Sequence, residues 1–230
     1  MNKKLFTLLL ISVFGNAAAT VCTNTNSFDE LQNCIQTNES KQLKLYPGRV
    51  ERNDKALTFF GTNKKTLAVL KDRDGDNGST KSFKLVDFLP PLNSWLVAEL
   101  RYEGYYFLLI DSNSGRTTEF NAMPIVSPDG QKFVVVFGGS GETGEPAQLS
   151  IHRITSKGFE VEYSTAPETP TWYLTPNSAQ WERPDLVRIE YSGDLSGPTA
   201  KKTTCEVRKS GNQWQLAANC PGRAATKGAL

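Results

Sequence analysis

Residues 105–137 read YYFLLIDSNSGRTTEFNAMPIVSPDGQKFVVVF. This segment alternates three runs of β-branched, aromatic and other apolar residues with clusters of Asp, Ser, Asn, Gly and Pro. Such runs are typical of β-strands, and the clusters between them are typical of turns. From Leu43 onward no segment sustains the period of an amphipathic helix. The sequence therefore predicts antiparallel strands joined by tight turns.

The same arrangement recurs as a loose internal repeat of four units. The first strand of each unit is predicted at residues 57–60, 95–100, 133–137 and 186–191. The second strand is predicted at residues 66–70, 105–110, 149–154 and 203–208, and the third at 82–88, 116–120, 159–163 and 214–217. These units predict an all-β, mainly antiparallel fold, either a small or irregular β-propeller-like array or a β-sandwich.

One short helix is predicted before the strands. Residues 27–30 have the pattern of a capping box, and Phe28, Leu31 and Ile35 recur at helical spacing. The predicted organisation has four parts: a signal peptide at residues 1–19, a helical segment with a disulfide at 20–42, a β-rich domain of about four units at 43–221, and a flexible tail at 222–230.

The N-terminal residues predict export to the bacterial periplasm. Lys3 and Lys4 precede an apolar stretch at residues 5–14, which small residues follow at 17–19, so cleavage is expected after Ala19. The apolar stretch has about half of the ~20 residues that span a bilayer. Cys22 does not follow the Leu-small-small run of a lipid attachment site, so we expect no membrane anchor.

Charge and cysteine content narrow the function classes. The chain has 26 basic and 24 acidic residues, and removal of Lys3 and Lys4 with the signal balances them. A neutral chain without a basic run is not expected to bind nucleic acid. Four cysteines in an exported chain predict two disulfides with three alternative pairings. Proximity in sequence favours the pairs Cys22–Cys34 and Cys205–Cys220 over pairings that join the two ends of the chain.

Two segments resemble a known repeat. Residues 106–111, followed by Ser114, Gly115 and Thr118, precede residues 124–133 with their Ser-Pro-Asp-Gly turn. Together they resemble the WD-like repeat of bacterial periplasmic β-propellers, such as the propeller component of the Tol-Pal system. A second, weaker copy of the turn is suggested at residues 175–178, before Trp181. The resemblance covers about a fifth of the chain and implies blade-like units.

A glycine-rich loop is the candidate protein-binding segment. The residues Gly139, Ser140, Gly141, Glu142 and Thr143 have the glycine spacing of a phosphate loop, but Glu145 stands where that motif needs lysine. We therefore reject phosphate binding at this loop. A loop on a rigid β scaffold is instead a common site of partner recognition.

Three alternating carboxylates form the candidate metal site. Asp72, Asp74 and Asp76 have the spacing of a calcium loop. However, Asn77 stands where an EF-hand has glycine, and Phe83 stands where it has a bidentate Glu. Calcium is the one candidate cofactor, and the sequence suggests no other.

The sequence contains no recognisable catalytic motif. His152 is the only histidine, lies in an alternating strand and has no Gly-x-Ser-x-Gly motif to accompany it, so no catalytic residue is assigned. Glycan hydrolysis needs only two carboxylates, and the candidates are Glu99, Glu103, Glu119, Glu160, Glu162 and Asp185. Aromatic residues that could form a sugar-stacking or protein-binding face are Tyr102, Tyr105, Tyr106, Trp172, Tyr173 and Trp181.

These observations favour a non-catalytic periplasmic protein-binding module. Its expected partner is another protein, such as an envelope or secreted enzyme. An inhibitor or immunity protein against a cell-envelope-targeting enzyme, or an envelope assembly factor, would fit. The alternatives are a carbohydrate- or peptidoglycan-binding protein, a carboxylate-based glycan hydrolase, and a structural envelope component. Fold class alone does not distinguish these functions.

Overall fold

The computed structural model describes residue 22, residues 28–75, 80–102, 104–139, 147–165, 174–193 and 202–217, and residue 220. These residues form one α-helix, a short 3-10 helix at Pro90–Leu92, and strands in four sheets. Every strand pair is antiparallel. The predicted all-β, mainly antiparallel fold with one N-terminal helix is therefore confirmed. No helix in the described ranges is both long and apolar enough to cross a membrane.

Helix α1 spans Phe28–Leu45 and is longer than the sequence predicted. Leu31 and Ile35 are buried, as their helical spacing indicated. The expected boundary at residue 42 is wrong, because Leu43 lies in the same helix and packs against the core of the first two sheets. Pro47 follows the helix and is incompatible with its continuation.

Each sheet is a meander whose strands neighbour one another in chain order. The first sheet contains β1 (Val50–Asn53), β2 (Ala56–Phe60) and β3 (Thr66–Lys71). The second contains β4 (Lys81–Leu89), β5 (Ser94–Arg101), β6 (Gly104–Asp111) and β7 (Thr117–Phe120). The third contains β8 (Ile125–Val126), β9 (Lys132–Phe137), β10 (Gln148–Thr155) and β11 (Gly158–Ser164). The fourth contains β12 (Leu174–Arg183), β13 (Leu186–Gly193), β14 (Lys202–Ser210) and β15 (Gln213–Leu216).

Two details of the predicted repeat are wrong. Residues 82–88 do not complete the first unit, because β4 pairs with β5 and opens the second sheet. The first sheet instead begins at β1, whose sequence Val-Glu-Arg-Asn is too polar to stand out as a strand. Residues 175–178 are not a turn, because they lie within β12. This edge strand accommodates Pro176 at a register shift, where a missing ladder donor is tolerated.

Three hydrophobic clusters join the sheets in chain order. Phe59 of the first sheet packs in one cluster with Trp95 of the second. Phe107 of the second sheet and Phe133 of the third share another cluster, which also includes helix α1. Ile151 of the third sheet and Val187 of the fourth belong to the third. The middle sheets thus bury both faces, because alternate residues of each strand point to opposite sides. None of the three clusters contains residues of both the first and the fourth sheet.

The stack has two different ends. One end, which we call the short-turn end, carries the compact connections at residues 61–65, 90–93, 112–116, 127–131, 156–157, 184–185 and 211–212. At the opposite end, which we call the long-loop end, strands β3, β5, β9, β11 and β13 terminate. Strand direction alternates in a meander, so each sheet contributes to both ends.

The favoured disulfide pairing is confirmed. Cys22 bonds to Cys34 of helix α1. Cys205 of β14 bonds to Cys220. Both members of the second pair are buried in the cluster between the third and fourth sheets.

Candidate functional site

The short-turn end is built from tightly bonded turns. Residues 127–130 form the expected β-turn, in which Gly130 N donates to Ser127 O over 2.9 Å and Gly130 has φ of +67°. The Ser127 hydroxyl donates to Asp129 and accepts from the backbone N–H of Lys132. This turn reverses the chain into β9 and fixes the backbone position of Lys132.

Neighbouring turns are linked across the sheets. Asp111 Oδ1 accepts hydrogen bonds from the backbone N–H groups of Asn113 and Ser114, at 3.1 and 2.7 Å. Arg116, in the same turn, donates to the backbone carbonyl of Lys157 in the third sheet. The turns of successive sheets therefore form a continuous, well-bonded surface.

A cleft of about 570 Å³ lies in this surface between the third and fourth sheets. This volume is within the range of small-molecule sites. Its polar lining residues are Gln131, Lys132, Arg153, Glu162, Lys209 and Asn212. All three basic residues lie at or near strand termini: one begins β9, and the others approach the ends of β10 and β14. The strands of the two meanders therefore bring three cations close to one carboxylate, that of Glu162.

Glu162 organises the cleft. Its Oε2 accepts from Lys209 Nζ at 3.0 Å and from the indole Nε1–H of Trp214 at 2.9 Å. Its Oε1 lies 3.5 Å from Arg153 Nε. Burial favours a higher pKa for this carboxyl, but the bonds from Trp214 and Lys209 outweigh it and hold the pKa of Glu162 below its usual value. Glu162 is therefore an anion at neutral pH and a fixed anchor for the surrounding cations.

Lys132 is less well neutralised than the other cations of the cleft. Its side chain is only 14% exposed. Within the described part of the chain, its one ion pair is with Asp129, at 3.8 Å. This separation is longer than a hydrogen bond, so the ammonium of Lys132 keeps donors available in the cleft.

The long-loop end presents aromatic and basic side chains. Tyr102, at the tip of the β5–β6 hairpin, is 76% exposed. Next to it, the guanidinium of Arg101 lies 3.7 Å from the ring centre of Tyr106. Arg101 also donates to Glu99 at 2.7 Å and to Glu119 at 3.0 Å, which fixes its position. The hairpin therefore combines an anchored arginine with an exposed aromatic ring.

The candidate protein-binding loop begins at the same end of the stack. Gly139 lies two residues after the end of β9 and is half-buried, with φ of +83°. Ser140, Gly141, Glu142 and Thr143 lie outside the described residues. The loop assignment therefore stays a prediction.

The candidate calcium ligands have other partners. Asp72 Oδ1 accepts from the backbone N–H of Phe83 at 2.8 Å, and its Oδ2 accepts from Arg52 at 3.1 Å. Asp74 is paired with Lys55. Asp76 lies outside the described residues. In the part of the chain that is described, no group of three His, Cys, Asp or Glu side chains is placed to hold a metal ion.

His152 is buried between aromatic rings. Its imidazole stacks on Phe133, with ring centres 4.7 Å apart, and meets Phe120 edge to face. Its Nε2 lies 2.9 Å from Ser150 Oγ. Burial lowers the pKa of His152 to about 4. The neutral ring therefore packs in the core between the second and third sheets, as expected for a histidine in a strand.

Four of the candidate carboxylates form two pairs, each joined by one arginine. Glu99 and Glu119 both bond to Arg101, and Glu160 and Glu162 both pair with Arg153. Glu99 is buried, and although burial alone favours a higher pKa, its bonds with Arg101 and Lys81 hold that pKa below the usual value. Glu160 pairs with Arg153, and Asp185 with Arg183. A general acid in glycan hydrolysis needs a raised pKa instead. Glu103, Trp172 and Tyr173 lie outside the described residues.

Two features were missed by sequence reasoning. The cleft escaped notice because Lys132 and Arg153 meet only through the pairing of β9 with β10, and Lys209 joins them only through the packing of the fourth sheet on the third. Their position beside turn residues was the available signal. Asp87 was also not singled out, although burial raises its pKa; its carboxylate accepts from the hydroxyl of Tyr46 at 3.4 Å.

Comparison with known proteins does not assign the chain to a group. No protein-family model matches the sequence, and no curated protein matches it.

Proposed function

We propose that the protein is an exported, non-catalytic module that binds another protein through its long-loop end. The observation that carries this proposal is the β5–β6 hairpin tip, where an exposed Tyr102 adjoins an arginine held against Tyr106. Tyr and Arg are enriched among the residues that dominate protein–protein binding energy. A ring that is 76% exposed contributes little to the fold, so its retention at a hairpin tip favours a role in recognition.

The scaffold behind this tip supports the proposal. The hairpin belongs to the second sheet, whose two faces are covered by neighbouring sheets. A side chain presented by such a framework loses little conformational freedom on binding, which favours affinity. The glycine-rich loop that begins at Gly139 leaves the third sheet at the same end and would extend the contact.

The location and type of partner follow from the sequence. The predicted signal peptide, with cleavage after Ala19, places the protein in the periplasm. Two disulfides are compatible with that oxidising compartment. An enzyme that targets the cell envelope is the partner we propose, and the protein would act as its inhibitor or immunity protein.

The test uses the mature chain from Thr20 as bait for periplasmic and secreted fractions. Mass spectrometry identifies a stoichiometric partner, and calorimetry then measures its affinity for wild type and for Tyr102→Ala. We expect this variant to weaken binding by about tenfold or more, the effect of losing an interface hot spot. Its melting temperature should not change, because the side chain is exposed.

Val161→Ala is the matched control. Val161 is 62% exposed on the edge strand β11 of the third sheet, so its truncation also removes exposed apolar surface, but away from the hairpin. Equal losses in the two variants would refute the placement of the site. Recovery of glycan without any protein partner would refute protein binding and favour carbohydrate recognition.

A further inference from the structure

The structure points to a second binding site, in the cleft between the third and fourth sheets. We propose that this cleft binds a small ligand through an anionic group, a carboxylate or a phosphate, held by Lys132, Arg153 and Lys209. The inference does not rest on the proposed protein-binding function, because the cleft lies at the short-turn end and the hairpin tip at the opposite end.

The charges that line the cleft favour an anion. Three cations face one carboxylate, Glu162, among the lining residues. Two further acids lie outside the lining. Asp129 is 3.8 Å from Lys132, and Glu160 pairs with Arg153 at an exposed position. The exposed pair of Arg153 with Glu160 contributes little energy, so a ligand oxyanion can replace it.

Lys132 supplies an independent argument. Its side chain is 14% exposed, yet its ion pair is longer than a hydrogen bond. An anion in the cleft would give this ammonium an acceptor at hydrogen-bond distance. Phosphate and carboxylate oxygens are the acceptors that form short, charge-assisted bonds with Lys and Arg.

The cleft is also preorganised. Glu162 already holds Lys209 at 3.0 Å, and Trp214 fixes Glu162 through its indole N–H. The cations therefore do not have to be gathered when a ligand arrives, which reduces the entropic cost of binding. Side-chain amides of Gln131 and Asn212 at the rim can bond to the uncharged polar part of the ligand.

The indole N–H of Trp214 provides a local reporter for the test. The chain has four tryptophans, so its nitrogen–proton NMR spectrum contains few indole signals, and Trp214→Phe assigns the one in the cleft. Trp95 belongs to a different hydrophobic cluster, between the first and second sheets. It is therefore an internal control for changes that do not originate in the cleft.

The probes are inorganic phosphate and malonate, titrated separately into the mature chain at low ionic strength. We expect a saturable shift of the Trp214 signal, with a smaller response from Trp95, for at least one of the two anions. Lys132→Gln should weaken that affinity by about tenfold, the typical loss of a charge-assisted bond. A preference for one probe would identify the anionic group that the natural ligand carries.

Lys157→Gln is the matched control. It removes the same charge from the same end of the stack, but this exposed residue does not line the cleft. An equal loss in the two lysine variants would show non-specific attraction and overturn the proposal. If neither anion saturates the signal up to about 10 mM, the proposal is also overturned, since such weak contact is not a site. Neither result would affect the test with Tyr102→Ala.

Discussion

The pH dependence of folding should be governed by His152 between pH 7.5 and 5. This residue is the only histidine of the chain, and its neutral ring stacks on Phe133 in a buried cluster. Burial lowers its pKa to about 4, against about 6.5 for an unfolded chain. Above pH 6.5 His152 is neutral in both the folded and the unfolded chain, so it does not make the free energy of unfolding depend on pH. As the pH falls below 6.5, the unfolded state binds a proton that the folded state excludes, so stability decreases until about pH 4.

The expected magnitude follows from these two pKa values. Proton linkage gives a loss of about 2 kcal/mol in the free energy of unfolding between pH 7.5 and pH 5. A loss of this size is a substantial fraction of the stability of an average domain. The carboxyls of Glu99 and Glu162 have lowered pKa values, so their stabilising contributions are lost only as the pH falls below the usual carboxyl range, outside this window.

The perturbation is His152→Gln, which keeps a hydrogen-bonding group near Ser150 but does not titrate. Urea unfolding of both proteins at several pH values between 7.5 and 5 measures the effect, and contributions common to both cancel in the comparison. We expect the variant to be less stable at pH 7.5, because it loses the aromatic stacking, but to show a much smaller pH dependence. Parallel pH profiles in the two proteins would refute the assignment of a buried, neutral histidine.

Two further predictions concern the turns and the disulfides. Gly115→Ala should destabilise the protein by about 2–4 kcal/mol, because φ is +74° and the new Cβ would lie 2.4 Å from the carbonyl oxygen of Leu67. Calorimetry should show a much smaller effect for Gly104→Ala, where the added atom meets nothing within 4 Å; similar losses would contradict the close approach of the first two sheets. Replacing both Cys205 and Cys220 by Ala should cost about 3 kcal/mol in guanidinium unfolding, as expected for a loop of this length, and an unchanged midpoint would contradict the role of this disulfide.

The sequence predicted local structure well wherever side-chain chemistry acts over a few residues. The turn at residues 127–130 formed as expected, since Pro128 restricts one turn position and Gly130 tolerates a positive φ. The disulfide pairing also followed from proximity in sequence. Strand β1 was missed because its stability depends on pairing with β2 and on one buried side chain, Val50, rather than on an apolar pattern.

The assignment of strands to sheets depends on long-range packing that the sequence does not display. Strand β4 follows β3 in the chain, and an isolated bridge joins Arg73, just after β3, to Lys81 at the start of β4. Nevertheless β4 pairs along its length with β5, because Leu85 and Val86 then fill the cores on opposite sides of the second sheet. The cleft is unpredictable for the same reason, since its residues come from two sheets.

Two acidic residues, of which only Glu162 was considered for catalysis, join separate layers of this fold. Glu162 of the third sheet binds Lys209 and Trp214 of the fourth, and Glu39 of helix α1 binds Arg52 and the backbone of β4. Each carboxylate thereby joins separate layers of the stack through charged hydrogen bonds, which are stronger than neutral ones. Such a network requires ionised carboxyls, whereas a general acid must keep its proton at neutral pH. The same bonds leave the cations facing the cleft. The anion binding that we propose at the short-turn end therefore depends on the basic residues that Glu162 holds in place.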